Sequence, residues 1–282
     1  MLVRHVDAAR RYPFRASTGR IGRSVQRLTL AAERPLPADP PRPSSDPTDS
    51  TPGSYHRRLA SGLLIASTRS EHADALESLQ HDVFPTLDDA QRFKAEHYRR
   101  HLTLFPEGQF VALDGTRVVG ATSTIRRHFD FDHASHTFDD IIQGGWLTSH
   151  EPDGEWLYGA DLGVSPSYRG RGVARALYAA RQELVWVLGL LGQMAAGMMS
   201  GFGERKHEMT AQAYFDGLRS GEINDPTLSM QLRVGFEARV LLPGHVHDPV
   251  CDDYSVLIVL DAARAVAGAV RPEETINTHF RG

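Results

Sequence analysis

Apolar positions recur with two different spacings along the chain, and the spacing predicts where helices and strands lie. A continuous apolar run at 62–67 predicts a strand, and a helix follows from Ser70, whose side chain can cap it, until Pro85 ends it. Thr86, followed by an acidic residue three positions later, is typical of a capping box and predicts a second helix that extends to about His101. The folded region is therefore predicted to begin with a strand and two helices.

After these helices the apolar spacing becomes that of strands. Two β-rich runs joined by Asp114-Gly115, a dipeptide that tolerates positive φ, predict an antiparallel hairpin. A buried strand at 156–164 precedes a helix at 172–188, whose predicted inner face is formed by Val173, Ala176, Leu177, Ala180, Leu184 and Val187. Further strands are predicted at about 193–200, 237–242 and 254–260, and further helices within 210–221 and 227–234. This order of elements predicts an α+β fold with a strand–loop–helix unit at its centre.

Composition changes sharply near the start of this region. Residues 35–54 contain seven prolines and one leucine, which cannot bury enough apolar surface to offset the entropy of ordering. We therefore expect a disordered Arg- and Pro-rich extension over 1–58, a folded domain over 59–265 and a C-terminal tail over 266–282. The uncharged stretch 184–203 is interrupted by five glycines, and we interpret it as a helix end followed by a buried strand, not as a membrane span.

Charge is divided unevenly between these regions. Residues 1–58 carry eleven arginines and five acidic residues, whereas 59–282 carry twenty basic and thirty acidic residues. An acidic body repels phosphate backbones, so we expect no nucleic-acid partner, and cationic or neutral substrates fit better. The single cysteine, Cys251, allows no internal disulfide and suits a reducing compartment. We therefore expect a cytoplasmic protein with no membrane partner.

The segment between the central predicted strand and helix, residues 164–177, carries the main chemical signal. The first backbone N–H groups of a helix are unpaired and lie at the positive end of its dipole, so they can bind a phosphate or pyrophosphate. Gly170 and Gly172 let an anion approach the main chain, and the charge there is raised by Arg169, Arg171 and Arg175. A dinucleotide fingerprint is excluded because Arg175 stands where it needs Gly or Ala, and the Gly-Lys-Ser/Thr ending of a P-loop is absent.

This segment resembles the acetyl-CoA signature of the Gcn5-related N-acetyltransferase (GNAT) superfamily, Arg/Gln-x-x-Gly-x-Gly/Ala, through Arg169, Gly172 and Ala174. A second stretch is similar to a later motif of that superfamily, with Asn224, Thr227, Met230, Gln231 and Gly235-Phe236 at matching spacing. Two letters differ: Thr227 replaces Ala, and Gln231 replaces the Tyr that often protonates the departing CoA thiolate. An amide donates a hydrogen bond but no proton, so the general acid is left open.

The resemblance covers about 59–262 and is greatest to the acetyltransferase part that some bacteria fuse to a nitrilase-type amidohydrolase. It implies a mixed, mostly antiparallel central sheet flanked by helices, acetyl-CoA as co-substrate, and no metal. The cofactor-binding residues it implies are Leu162, Val164, Arg169, Gly170, Arg171, Gly172, Val173, Ala174 and Asn224. The implied base is Asp161 on the strand or Glu155 just before it, with Tyr158 as a proton relay.

The function implied is transfer of acetyl from acetyl-CoA to a primary amine by direct attack in a ternary complex. The acceptor is a small-molecule or protein amine, and the oligomeric state stays open. A non-catalytic acyl-CoA sensor is the first alternative, since the usual Tyr is missing. A metal-dependent hydrolase is the second, because the run His128–His133 is similar to a dinuclear metal motif and the loop 245–251 is rich in metal-binding side chains. The irregular segment 127–155 is the expected place for acceptor choice.

Overall fold

The computed structural model describes residues 54–263, and these form one mixed sheet with helices on both faces. In sheet order the strands are β1 (His56–Arg58), β2 (Leu64–Ser67), β3 (Phe110–Asp114), β4 (Arg117–Arg127), β5 (Trp156–Val164), β6 (Gly192–Met198), β8 (Ser255–Asp261) and β7 (Glu237–Leu242). The helices are α1 (Ala73–Val83), α2 (Ala95–Leu104), α3 (Phe138–Ile142), α4 (Val173–Val187), α5 (Phe202–Arg205), α6 (Ala211–Ser220) and α7 (Leu228–Val234). The predicted α+β class with a mostly antiparallel sheet is confirmed, since β5–β6 is the parallel pair among the described strands.

The sheet opens between β5 and β6. These strands pair over Trp156–Gly159 with Gly192–Ala195, and beyond that point β5 continues beside β4 while β6 continues beside β8. A β-bulge lies at the same level, because Thr124 faces Gly159 and the preceding residue of β4 faces Asp161, so that Ala160 has no partner. The bulge bends β5 away from its parallel neighbour and produces a wedge-shaped opening in the centre of the sheet.

Helix α4 packs on one face of the sheet and α1 with α2 on the other. The predicted inner face of α4 is buried at Val173, Ala176, Leu177, Ala180 and Leu184. Val187 is an exception: it is 53% exposed, because it lies in the last turn, where the helix runs past the sheet. Fully burying a leucine such as Leu177 or Leu184 stabilises the fold by about 1.5–3 kcal/mol. This burial holds the start of α4 directly behind the end of β5.

The prediction that a helix begins at Thr86 is wrong. The Thr86 hydroxyl donates to Asp248 Oδ2 at 3.0 Å instead of capping a helix. Asp88 caps a short 3-10 turn at Asp89–Gln91 by accepting from the Ala90 amide, and α2 begins only at Ala95. A contact between distant parts of the chain has replaced the local cap.

The predicted start of the folded domain also needs correction. Tyr55 is 2% exposed, and His56–Arg58 pairs with Leu64–Ser67, so the sheet already includes residues that we assigned to the extension. The remainder of the predicted extension, 1–53, and the predicted tail, 266–282, lie outside the described residues. Within the described part of the chain, no helix is both long and apolar enough to span a membrane.

Candidate functional site

The turn between β5 and α4 combines two glycines with the first turn of a helix. Gly170 and Gly172 have φ of 75° and 81°, a left-handed conformation that glycine adopts without strain, and Gly172 is the N-cap residue of α4. The backbone amides of residues 170–175 have no hydrogen-bond partner among the described residues. A Cβ built on either glycine meets no atom within 4 Å. The turn therefore places six amides without a partner among the described residues at the positive end of a helix dipole, with open space beside both glycines.

A cavity of about 1070 Å³ extends from this turn into the wedge between β5 and β6. Beyond the wedge it is lined by the segments 82–87 and 245–250, on the face of the sheet that carries α1. The predicted cofactor-binding residues that line it are Leu162, Val164, Arg169, Gly170, Gly172, Val173 and Ala174. The turn, the strand edge and the helix start are thus parts of one site.

Two predicted cofactor-binding residues lie outside the cavity lining. The guanidinium of Arg171 stacks on the Tyr168 ring at 4.8 Å, because its side chain points away from the turn's amides. Asn224 is exposed before α7. The neighbouring residue, Asp225, holds the start of α7 instead. It is 1% exposed, and its Oδ1 accepts from the amides of Thr227 and Leu228. The matching motif therefore positions α7 through the residue after Asn224.

Asp161 lies in the wall of the cavity, immediately after the bulge in β5. Its Oδ1 accepts from the Ser123 amide at 2.7 Å and its Oδ2 from Gln80 Nε2 at 2.6 Å. Gln80 also donates to the Tyr98 hydroxyl at 2.7 Å, which fixes the amide orientation. Burial raises the pKa of Asp161 to about 6, although these hydrogen bonds favour its charged form. A carboxylate with this pKa can accept a proton near neutral pH.

The other two predicted catalytic residues are not part of the cavity lining. The Tyr158 hydroxyl is 2.7 Å from His136 Nε2, its side chain is 1% exposed, and burial raises its pKa. Glu155 is exposed at the other end of the strand, with its Oε2 3.8 Å from His128 Nδ1. Strand geometry explains the separation, because a residue six positions along a strand is about 20 Å away. Of the predicted group, the structure brings Asp161 alone to the cavity.

A tyrosine not predicted from the sequence lies next to Gln231. Gln231 Nε2 donates to the Tyr178 hydroxyl at 2.9 Å, and both side chains line the cavity. Because the phenol oxygen accepts this bond, its own proton is free for another acceptor. Tyr178 is 2% exposed and burial raises its pKa, so it is a neutral phenol at physiological pH. The sequence analysis did not single out Tyr178, because a buried aromatic residue in an amphipathic helix is most often part of the core.

The two histidine-rich segments do not form a metal centre in the described part of the chain. Among residues 54–263, no group of three or more His, Cys, Asp or Glu side chains is placed to hold a metal ion. His133 Nδ1 pairs with Asp130 at 2.7 Å on the surface. His245 Nδ1 is 2.9 Å from the His136 carbonyl oxygen, so that nitrogen carries the proton, and burial lowers its pKa to about 4. His247 pairs with Asp253 instead of turning toward His245.

A mixed sheet with a central wedge, next to a glycine-containing anion-binding turn, is the architecture of an acyl-CoA-dependent acetyltransferase class. Residues 73–190 match the model of the Acetyltransferase (GNAT) family, which spans both features. This match confirms the resemblance to the Gcn5-related N-acetyltransferase superfamily that was inferred from the sequence. This similarity supports acyltransferase activity as the general class of chemistry.

Two Bacillus subtilis proteins are similar to this chain. Probable hydrolase YhcX is 34% identical over 191 residues, which are 68% of this chain but 37% of YhcX. The chain therefore spans just over a third of that relative. The protein named Uncharacterized N-acetyltransferase YkwB is 29% identical over 202 residues, which are 71% of this chain and 89% of YkwB.

Solved structures with the same fold include two GNAT-like domains. The GphF GNAT-like decarboxylase in complex with isobutyryl-CoA has a TM-score of 0.61 and 21% identity, and covers 70% of this chain and 98% of its own. The loading GNATL domain of CurA from Lyngbya majuscula has a TM-score of 0.61 and 17% identity, and covers 72% and 98%. At these identities the likeness establishes the fold.

Proposed function

We propose that this domain transfers an acetyl group from acetyl-CoA to a primary amine by direct attack in a ternary complex. The observation that carries the proposal is the row of free amides at 170–175, which open into the wedge of the sheet. GphF is in complex with an acyl-CoA, and this supports an acyl-CoA as the donor here. The pyrophosphate would lie on the amides, and the pantetheine arm would extend along the free edge of β5.

The chain has residues suited to each proton transfer. Asp161 would take the proton that the amine loses as its nitrogen attacks the thioester carbonyl carbon, directly or through one water. The main chain near Leu162–Val164, at the edge of β5 that β6 leaves free, would donate to the carbonyl oxygen as it gains negative charge. Breakage of the C–S bond releases a thiolate. Tyr178 would give it the phenol proton and recover one from solvent.

The cavity beyond the wedge is the proposed site of the acceptor. It lies between the segments 82–87 and 245–250, where Asp82 and Asp248 contribute acidic side chains. Asp248 is 2% exposed and its Oδ2 accepts from Thr86. Acidic side chains at the entrance of the cavity favour a cationic amine, in agreement with the acidic composition of residues 59–282. Small amines and protein amines both fit this description.

The test is release of free thiol from acetyl-CoA in the presence of a panel of polyamines, amino acids and short peptides, with acetylated product identified by mass. We expect amine-dependent thiol release by the wild type and a much lower rate for Asp161→Asn. Binding of acetyl-CoA without turnover on any amine would favour the sensor alternative. Failure of the wild-type protein to bind acetyl-CoA would refute the proposal.

A further inference from the structure

Arg181 is a buried cation at the narrow end of the wedge. Its side chain extends from α4 and is 1% exposed. The guanidinium lies directly against Gly159, so closely that no side chain could be accommodated there. Its Nη2 donates to the Met194 carbonyl oxygen at 3.2 Å, and its carbon lies 5.1 Å from the centre of the Tyr178 ring. The guanidinium thus sits where β5 and β6 diverge, and it lines the same cavity as the proposed acyl-CoA site.

Within residues 54–263, no carboxylate forms an ion pair with this guanidinium. None of the ion pairs among the described residues includes Arg181, and its Nε is buried without any hydrogen-bond partner. Asp161 contributes a long-range attraction, but both of its oxygens accept from Gln80 and Ser123. A buried charge without a partner is strongly unfavourable, and a planar guanidinium has donors in the geometry that matches a carboxylate. An anionic group of a ligand would therefore supply the acceptor that Arg181 does not find among the described residues.

The position of Arg181 along β5 indicates which part of a ligand would meet it. Val164 lies beside the anion-binding turn, and Gly159 lies five residues earlier on the same strand. Because the bulge adds one unpaired residue between them, their partners on β4 are four residues apart, which corresponds to about 13 Å at the rise of a strand. Both residues line the cavity. An extended pantetheine arm that starts at the turn would therefore bring the acyl group, and the acceptor that attacks it, to the level of Arg181. This step rests on the proposed function, which places an acyl-CoA in the wedge.

We propose that Arg181 recognises a carboxylate at the apex of the wedge, carried either by the acyl group of the donor or by the acceptor. The guanidinium would donate to the carboxylate through N–H groups that have no acceptor among the described residues, and the missing side chain of Gly159 gives the guanidinium its place at the apex. An acyl donor with a terminal carboxylate would then be preferred over a neutral donor of the same shape. If the carboxylate comes from the acceptor, an amino acid or a chain terminus would be preferred over its amide.

The donor arm of the test compares malonyl-CoA with isovaleryl-CoA, whose acyl groups have the same branching and differ in charge. We expect calorimetry on the wild-type protein to show at least tenfold tighter binding of malonyl-CoA. Arg181→Gln should abolish this preference, and Arg181→Lys should retain part of it. Both variants should keep their affinity for acetyl-CoA, since the pyrophosphate site is unchanged.

The acceptor arm compares kcat/KM of amino acids with that of their amides, with acetyl-CoA as donor. A preference for the free carboxylate, lost in Arg181→Gln, would assign the carboxylate to the acceptor. Absence of both preferences in the wild-type protein would overturn the proposal, and this comparison needs no variant to fold. Wild-type protein that binds acetyl-CoA and shows neither preference refutes the carboxylate site alone. Wild-type protein that binds no acyl-CoA refutes the proposed function as well.

Discussion

Substitution of Gly172 by valine tests the anion-binding turn. The residue has φ of 81°, and a Cβ there would project into open space within the turn that carries the unpaired amides of 170–175. A hydrogen bond to a charged group contributes about 1.5–3 kcal/mol. Loss of two such bonds from the pyrophosphate should weaken acetyl-CoA binding on the order of a hundredfold or more. The branched side chain also adds strain to the turn, so the fold must be measured together with the affinity.

Gly189 provides a matched control at the other end of α4. It has φ of 64°, and a Cβ there also meets no atom within 4 Å, but the residue lies outside the cavity lining. Gly172→Val and Gly189→Val should therefore lose similar folding free energy, about 1–3 kcal/mol by urea denaturation. Calorimetry with acetyl-CoA should show weakened binding for Gly172→Val and unchanged binding for Gly189→Val. If the folded Gly172 variant binds acetyl-CoA as tightly as the wild type, the turn is not the pyrophosphate site.

Three further predictions concern individual side chains. Asp161→Asn should keep the acetyl-CoA affinity and lower kcat roughly 10²–10⁴-fold. In the wild type, kcat/KM should rise with pH through about 6, since the ionised carboxylate is the base, and an unchanged profile in the variant would contradict this role. Tyr178→Phe keeps the ring and removes the proton donor, so single-turnover rates should fall at least about tenfold, and an equal rate would exclude it as the donor. Asp225→Ala removes the acceptor of the Leu228 amide at the start of α7 and of the buried Tyr214 hydroxyl, so the free energy of unfolding measured in urea should fall by about 3 kcal/mol. For Asn224→Ala, the free energy of unfolding should fall by less than about 0.5 kcal/mol.

The strands and the longer helices were predictable because the spacing of apolar residues within each segment indicates which face is buried. The capping signals show the limit of that approach. Thr86 and Thr137 are each followed by an acidic residue three positions later, but only Thr137 forms a capping box, with Asp140, at the start of α3. Thr86 instead donates to Asp248, far along the chain. Local sequence cannot distinguish these two threonines, because the deciding partner lies in a distant loop.

The anion-binding turn was predictable for a similar reason, whereas Asp161 was named from the family resemblance together with two residues that lie outside the cavity lining. Two glycines and a helix start within a few residues define the turn by themselves. The location of Asp161 in the cavity depends on the bulge in β5 and on the hydrogen bond that Asp161 accepts from Gln80 of helix α1. Glu155 and Tyr158 are close to Asp161 in sequence, but the rise of the strand carries Glu155 to its opposite end, and the Tyr158 hydroxyl is held by His136 outside the cavity lining. Proximity in sequence along a strand therefore does not predict a shared site.

The functional groups of α4 could have been found from a violation of its apolar pattern. Arg181 occurs four residues after Leu177 and three before Leu184, so it occupies a position on the buried face of the helix. A charged residue at such a position must find a partner or belong to a site. Tyr178 precedes it by three residues, which places the two side chains together on the helix and beneath the wedge. The helix whose first turn would bind the pyrophosphate thus also carries a cation and a phenol about two turns further on, at the level where the acyl group would lie. The single helix α4 can therefore set the distance between the anion-binding turn and the reacting end of the ligand. Because Tyr178 and Arg181 are both fixed on this helix, the roles proposed for them depend on the same placement of the ligand.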